Sequence, residues 1–86
     1  MSIVVGKVKK IETEQNGEHK KTILTIQSED GQKAFVEFRG SIMMKLAEKA
    51  TVEKKVIIPF TFDGKVSQIG NKRHNNLVAL NLQIVE

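Results

Sequence analysis

The side chains best suited to bind a ligand are basic, and they lie near the C-terminal end of the chain. The stretch GNKRHNN at 70–76 carries Lys72, Arg73 and His74 among three asparagines, and Lys65 precedes it. Residues 64–85 contain no Asp or Glu. Uncompensated cations suit the phosphates of a polyanion, and three such contacts on a single strand give a log–log salt slope near −2, at about −0.7 per contact. The alternative is a solvated hairpin tip, in which the asparagines serve the turn.

The other residue types offer no arrangement for catalysis. His19 and His74 are isolated, in no spacing that would hold a metal or pair an imidazole with a carboxylate. The six glycines are scattered, Gly-x-Ser-x-Gly is absent, and there is no cysteine to act as a nucleophile. We therefore predict a protein that is not an enzyme and that uses no cofactor and no metal.

Length and composition favour a single globular domain covering 1–86. The chain has 86 residues, of which 40% are hydrophobic and 28% charged. Its 14 Lys and Arg exceed its 10 Asp and Glu, a net charge of +4 that mildly favours polyanionic partners. No apolar run approaches the roughly 20 residues needed to span a membrane, and the N-terminus lacks a signal-peptide core. We expect a cytoplasmic protein with no membrane partner.

The elements that position these side chains are mainly strands. Apolar and polar residues alternate with a period of two, most clearly over 56–62 and 78–84. Turn signals at Asn16-Gly17, Asp30-Gly31 and Asp63-Gly64 divide the chain. The predicted strands are 2–13, 20–28, 32–39, 54–62 and 76–85. Gly6 indicates a bend or a close backbone approach in the first strand, and Pro59 indicates an edge or a bulge in the fourth.

One segment follows a helical period instead. Ser41 is placed to cap a helix over 42–50, whose apolar stripe is formed by Ile42, Leu46 and Ala50. Five strands with a helix between the third and fourth predict an all-β fold, the OB-fold Greek-key barrel. The connection between strands 4 and 5 is then 63–75, which contains the basic stretch. In this fold that loop and the face of strands 2–3 commonly hold oligonucleotides.

Several segments resemble a known family. FVEFRGSIMMKLAEKA at 35–50 is similar to the third strand, glycine and helix of bacterial and phage single-stranded-DNA-binding proteins. VVGKVKKIETEQNGEHKKTILTIQ at 4–27 resembles their first two strands, and VALNLQIVE at 78–86 resembles their last. The resemblance implies sequence-tolerant binding of single-stranded DNA in DNA replication, recombination or repair. The chain departs from the family in having no Trp or Tyr and only four Phe. It also ends at Glu86, so we expect no acidic C-terminal tail.

The phase of the strands selects the candidate binding residues. With Ala34, Val36 and Phe38 inside the barrel, Phe35 points outward as the candidate for base stacking and Arg39 as the candidate for a phosphate or cation–π contact. The same phase on strand 2 exposes Lys21 and Ile23. The predicted nucleic-acid-binding residues are Lys21, Ile23, Lys33, Phe35, Arg39, Lys65, Lys72, Arg73 and His74. Phe60 and Phe62 are predicted to lie in the core, and Met43 and Met44 to fill space beneath the helix.

Alternatives stay open at this point. Phe35 and Ile23 would equally serve a protein contact, which makes an OB-type protein-interaction module the second hypothesis. RNA is also open as the ligand, because nothing in the sequence separates ribose from deoxyribose. Because one stacking Phe and a few cations form a weak site, we expect a homodimer or homotetramer that gains avidity. Replication or recombination proteins are the expected further partners.

Overall fold

The computed structural model of this chain describes residues 2–66 and 73–85. Its elements in chain order are β1 (Ser2–Asn16), β2 (His19–Gln27), β3 (Lys33–Arg39), α1 (Ser41–Ala47), β4 (Lys55–Val66), β5 (Arg73–Ala79) and β6 (Gln83–Val85). Left-handed glycines at Gly17 and Gly31 form the turns after β1 and β2, as predicted.

Five of the strands close into a barrel. Their order in the sheet is β1-β2-β3-β5-β4, and a further pairing of β1 with β4 closes the ring. The β3–β5 pairing is parallel and the others are antiparallel. With α1 between β3 and β4, this is the OB-fold barrel, and the predicted fold class is confirmed.

The predicted last strand, 76–85, is interrupted and forms both β5 and β6. β5 pairs with β4 as far as Phe60↔Ala79, and β6 resumes at Ile57↔Gln83. Between them the Pro59 carbonyl accepts a hydrogen bond from Leu80 N–H at 2.8 Å. The N–H and C=O of a residue in an antiparallel strand point to the same edge. Proline has no N–H, so Pro59 cannot donate a hydrogen bond at the edge where the pairing breaks. The irregularity predicted at Pro59 therefore lies at this interruption.

The connection between β4 and β5 is shorter than predicted. Asp63 and Gly64 do not form a turn; they lie within β4 and pair with Asn76 and Asn75. The prediction of a connection over 63–75 is therefore wrong, because cross-strand pairing overrides the local turn preference of Asp-Gly. The connection lies between Val66 and Arg73, outside the described residues.

α1 differs from the predicted helix in its start, its length and its buried side. Gly40, with φ 85°, occupies the capping position without a side-chain hydrogen bond, so Ser41 is the first helical residue and not the cap. Ile42 is 82% exposed. The helix ends at Ala47, too early to maintain the predicted stripe, and it packs through Ala47 with help from Met43 and Leu46.

Alternate residues of the strands point into the barrel and form its core. Val36 and Phe38 are buried, as predicted, with the partly buried Ala34 packed against them. Phe60 is half-buried, and its ring meets that of Phe62 edge to face with centroids 5.3 Å apart. Phe62 itself is 58% exposed, so its predicted place in the core is wrong. Among the described residues, the buried hydrophobic side chains of the core are Val8, Leu24, Ile26, Val36, Phe38, Ala47, Ala50, Val56, Ile58, Ala79 and Leu82.

β1 pairs with two strands, with β4 along its first part and with β2 along the rest. Residues 2–7 pair with β4 and residues 7–16 pair with β2, with a register shift between Val8 and Lys10. At the change of partner, a Cβ added to Gly6 would lie 2.3 Å from the carbonyl oxygen of Gln27. The close backbone approach predicted at Gly6 is therefore confirmed.

Candidate nucleic-acid interface

Cross-strand pairing gathers five of the predicted binding residues on one outward surface. Lys21 lies opposite Arg39, Ile23 opposite Glu37, and Thr25 opposite Phe35. Paired residues of neighbouring strands point to the same side of a sheet, and the intervening residues of both strands are largely buried in the barrel. This surface, the outer β2–β3 face, consists of Lys21, Ile23, Thr25, Gln27, Lys33, Phe35, Glu37 and Arg39.

An open groove runs over part of this face. It encloses about 440 Å³ and is lined by Ile23, Lys33, Ala34, Phe35, Glu37, Asn76 and Leu77. Phe35 is 59% exposed, in keeping with the outward phase predicted for it. A solvent-exposed aromatic ring beside aliphatic side chains is a surface on which a planar base can stack.

Glu37 occupies the middle of the outer β2–β3 face, and sequence reasoning gave it no role. Although its phase is outward, only 6% of its surface is exposed. Its Oε1 accepts hydrogen bonds from Lys21 Nζ at 3.1 Å and from Arg39 Nε at 3.0 Å. Two cations from neighbouring strands therefore share a single carboxylate. The available signal in the sequence was the alternation itself, which puts Glu37 between Phe35 and Arg39.

The ion pairs extend beyond Glu37 to both sides. Arg39 Nη1 donates to Asp63 Oδ2 at 2.7 Å, and Lys21 Nζ lies 3.8 Å from Glu14 Oε2. The hydrogen bond to Asp63, ahead of the contacts with Glu37, raises the pKa of Arg39. These residues form what we call the five-charge network: Glu14, Lys21, Glu37, Arg39 and Asp63. With three carboxylates and two cations, the network carries no positive surplus.

A second depression lies beside the network, at the turn between β1 and β2. It encloses about 730 Å³ and is open to solvent. Its basic side chains are His19, Lys20, Lys21 and Arg39, and its acidic ones are Glu14 and Glu18. His19 is exposed there, at the start of β2. The mixture of charges gives this depression less preference for an anion than the predicted basic loop would have.

The remaining predicted residues belong to the β4–β5 hairpin. Backbone pairing sets Lys65 opposite His74 and Val66 opposite Arg73. Lys72 lies outside the described residues. The structure thus brings Lys21, Ile23, Lys33, Phe35 and Arg39 onto one face, and the role predicted for the hairpin cations stays a prediction.

Two further features bear on the class of the protein. Across residues 2–66 and 73–85, no group of His, Cys, Asp and Glu is arranged to hold a metal ion. No helix in that part of the chain is long and apolar enough to cross a membrane.

Comparison with known proteins supports the fold. No family model and no curated protein sequence matches the chain. Among solved structures, it is similar to the N-terminal domain of PriB protein from Thermoanaerobacter tencongensis, whose structure is described as dimeric. The TM-score is 0.58 at 20% sequence identity, and the match covers 99% of this chain and 94% of that one. At this identity the likeness concerns the fold alone.

Proposed function

We propose that this protein binds single-stranded DNA without strong sequence preference and without chemistry of its own. The proposed process is DNA replication, recombination or repair in the cytoplasm. The observation that carries the proposal is the exposed Phe35 ring in a groove on the outer β2–β3 face of an OB-fold barrel. This face and the loops beside it are where the fold commonly holds oligonucleotides.

In the proposed complex, bases stack in the groove and phosphates meet cations around it. Phe35 provides the stacking ring, and Ile23 provides an aliphatic surface beside it. Lys33, exposed at the start of β3, is proposed to contact the phosphates of the same nucleic-acid strand. The hairpin cations Lys65, Lys72, Arg73 and His74 are proposed to extend this contact. Lys21 and Arg39 belong to the same site, although both are engaged by carboxylates.

Titration of a fluorescent 15-mer of oligo-dT tests this function. We expect anisotropy to report micromolar or tighter binding at low salt that weakens as salt rises, and weaker binding to a duplex of the same length. Replacing both Lys72 and Arg73 with Ala is expected to flatten the log–log salt dependence by about 1.4, at roughly 0.7 per lost phosphate contact. An oligo-rU 15-mer in parallel decides between DNA and RNA.

The exposed helix-side lysines Lys45 and Lys49 offer a matched control, since their double replacement with Ala removes the same charge outside the proposed site. Absence of binding by the parent protein at low salt would refute the function. If the Lys72/Arg73 variant keeps the parental slope, the hairpin cations are merely solvated.

A second surface favours protein contacts, and with them the alternative function of a protein-interaction module. On the outer side of the β1–β4 pair, Ile3 lies opposite Pro59 and Val5 opposite Ile57. Ile3 and Val5 are both exposed, as is Leu80, whose N–H bonds to Pro59. Adjacent exposed apolar residues commonly mark an interface with another protein.

We propose that a second copy of the chain covers this surface, so that the protein is a homodimer. The dimeric description of the similar PriB domain supports this choice over a tetramer. Light scattering at tens of micromolar is expected to give about twice the 9.7 kDa of one chain. Ile3→Lys is expected to shift the mass toward one chain, whereas Ile42→Lys, on the exposed side of α1, should leave it unchanged. A parent mass of 9.7 kDa at that concentration would contradict the proposal.

A further inference from the structure

A carboxylate lies where the proposed function places a polyanion. Glu37 lies between Phe35 and Arg39 in β3 and lines the stacking groove. Its side chain is only 8% exposed, and among the described residues its hydrogen-bond donors are Lys21 and Arg39, both bonded to Oε1. Glu37 is thus a deeply buried carboxylate at an outward-facing position, and two cationic side chains are bonded to it.

This arrangement changes what the two cations can do for a nucleic acid. A phosphate placed over the centre of the face would approach a carboxylate and would have to compete with it for Lys21 and Arg39. Each of the two cations also pairs with a second carboxylate: Lys21 with Glu14, and Arg39 with Asp63. A like charge close to an anionic ligand costs binding free energy. Cations already paired with carboxylates neutralise few phosphates, so few counterions are released from the nucleic acid.

A neutral base meets no such penalty. Its face can stack on Phe35 and Ile23, and its edge can lie near Glu37 without bringing a second negative charge to the centre of the groove. The phosphates of the same strand then lie toward the margins of the face, where Lys33 and the hairpin cations are proposed to meet them.

We infer that Glu37 is a specificity-determining residue, which keeps phosphates away from the centre of the outer β2–β3 face and so makes the site select unpaired bases over bare backbone. The inference rests on the proposed function and adds to it the physical basis of selectivity in a protein of net charge +4. Lys21 and Arg39 hold Glu37 in place and contribute little to the salt slope of the parent protein.

The experiment compares two 15-mers of equal charge, oligo-dT and an abasic oligomer with the same phosphates. The parent protein is expected to bind oligo-dT at least about tenfold more tightly, because each stacked base adds affinity. Glu37→Gln keeps the size of the side chain and removes the negative charge that Lys21 and Arg39 share. It is expected to strengthen binding of the abasic oligomer about fivefold to tenfold and to steepen its salt slope by up to about 1.4. The affinity for oligo-dT should change less, so the ratio of oligo-dT affinity to abasic affinity falls.

Glu48→Gln provides the matched control, since it removes the same charge from an exposed position at the end of α1. It is expected to strengthen binding of both oligomers by the same small factor. Asp63→Asn releases only one of the two carboxylates that hold Arg39. We expect Asp63→Asn to lower the ratio of oligo-dT affinity to abasic affinity, as Glu37→Gln does, but by less. If thermal melting shows that Glu37→Gln does not fold, Asp63→Asn serves as the test in its place.

The outcomes separate the two proposals. A parent protein that binds neither oligomer at low salt refutes the proposed function. A second outcome is that the parent protein prefers oligo-dT while the selectivity ratio is unchanged in Glu37→Gln, or in Asp63→Asn where Glu37→Gln does not fold. That result refutes the role of Glu37 and leaves the proposed function standing.

Discussion

We expect Phe35→Ala to weaken binding of oligo-dT by about fivefold to one hundredfold and to leave its salt dependence nearly intact. Stacking of one base on an aromatic side chain contributes about 1–3 kcal/mol, and each 1.4 kcal/mol corresponds to a tenfold change in affinity. The ring is exposed on the outer β2–β3 face, so its removal costs few packing contacts. Because stacking displaces few counterions, the number of phosphate contacts, and with it the slope, stays the same.

Phe62→Ala is the matched control for this result. Phe62 is exposed to almost the same degree, 58% against 59%, but it is not among the residues that line the groove at Phe35. Anisotropy titration of both variants at two salt concentrations measures the difference. Equal weakening by the two substitutions would show that the stacking surface is not the groove at Phe35. A Phe35→Ala variant with parental affinity would favour the protein-interaction alternative.

We expect Gly6→Ala to lower the free energy of unfolding by about 1–3 kcal/mol or more, the cost of overpacking a well-packed interior. The added methyl carbon would lie 2.3 Å from the Gln27 carbonyl oxygen and 2.7 Å from its carbonyl carbon. Both are backbone atoms of β2, held in place by the pairing of Lys7 with Gln27, so neither can turn aside as a side chain would. For a domain of this size the melting temperature falls by roughly 4–8 °C per kcal/mol, and we expect a loss on the order of 10 °C or more.

Gly17→Ala separates this clash from the general effect of replacing a glycine. Gly17 has φ 64°, but a Cβ added there would meet no heavy atom within 4 Å, so only backbone strain of about 1 kcal/mol is expected. Thermal melting followed by circular dichroism measures both variants. A Gly6→Ala protein that melts no lower than Gly17→Ala would contradict the close approach of β1 and β2 at this residue.

The sequence by itself determined the class of fold and the direction of most strand side chains. Alternation with a period of two follows directly from strand geometry, so Val36 and Phe38 were assignable to the core and Phe35 to the surface without coordinates. Gly6 was likewise recognisable, because a glycine inside a strand commonly marks a place where another backbone comes close.

Local patterns misled where long-range pairing competed with them. Asp63-Gly64 has the composition of a turn, yet pairing with Asn75 and Asn76 continues the strand through it. Phe62 has the phase of the core residues Val56 and Ile58, but β4 runs on past the barrel and leaves more than half of this residue in solvent. The helix was predicted from its period and from Ser41 as its cap, but it begins at Ser41 and ends at Ala47, and Ile42 lies in solvent.

The charge balance of the proposed site was decided by the tertiary structure alone. Lys21 and Arg39 were predicted as cations for phosphate, and by strand phase they do lie on the outward face. The sequence contains neither the register that sets Lys21 beside Glu37 nor the curvature that brings Arg39 to Asp63, 24 residues away. Ion pairing depends on distances of a few ångströms between side chains of different strands, and only the closed barrel fixes those distances.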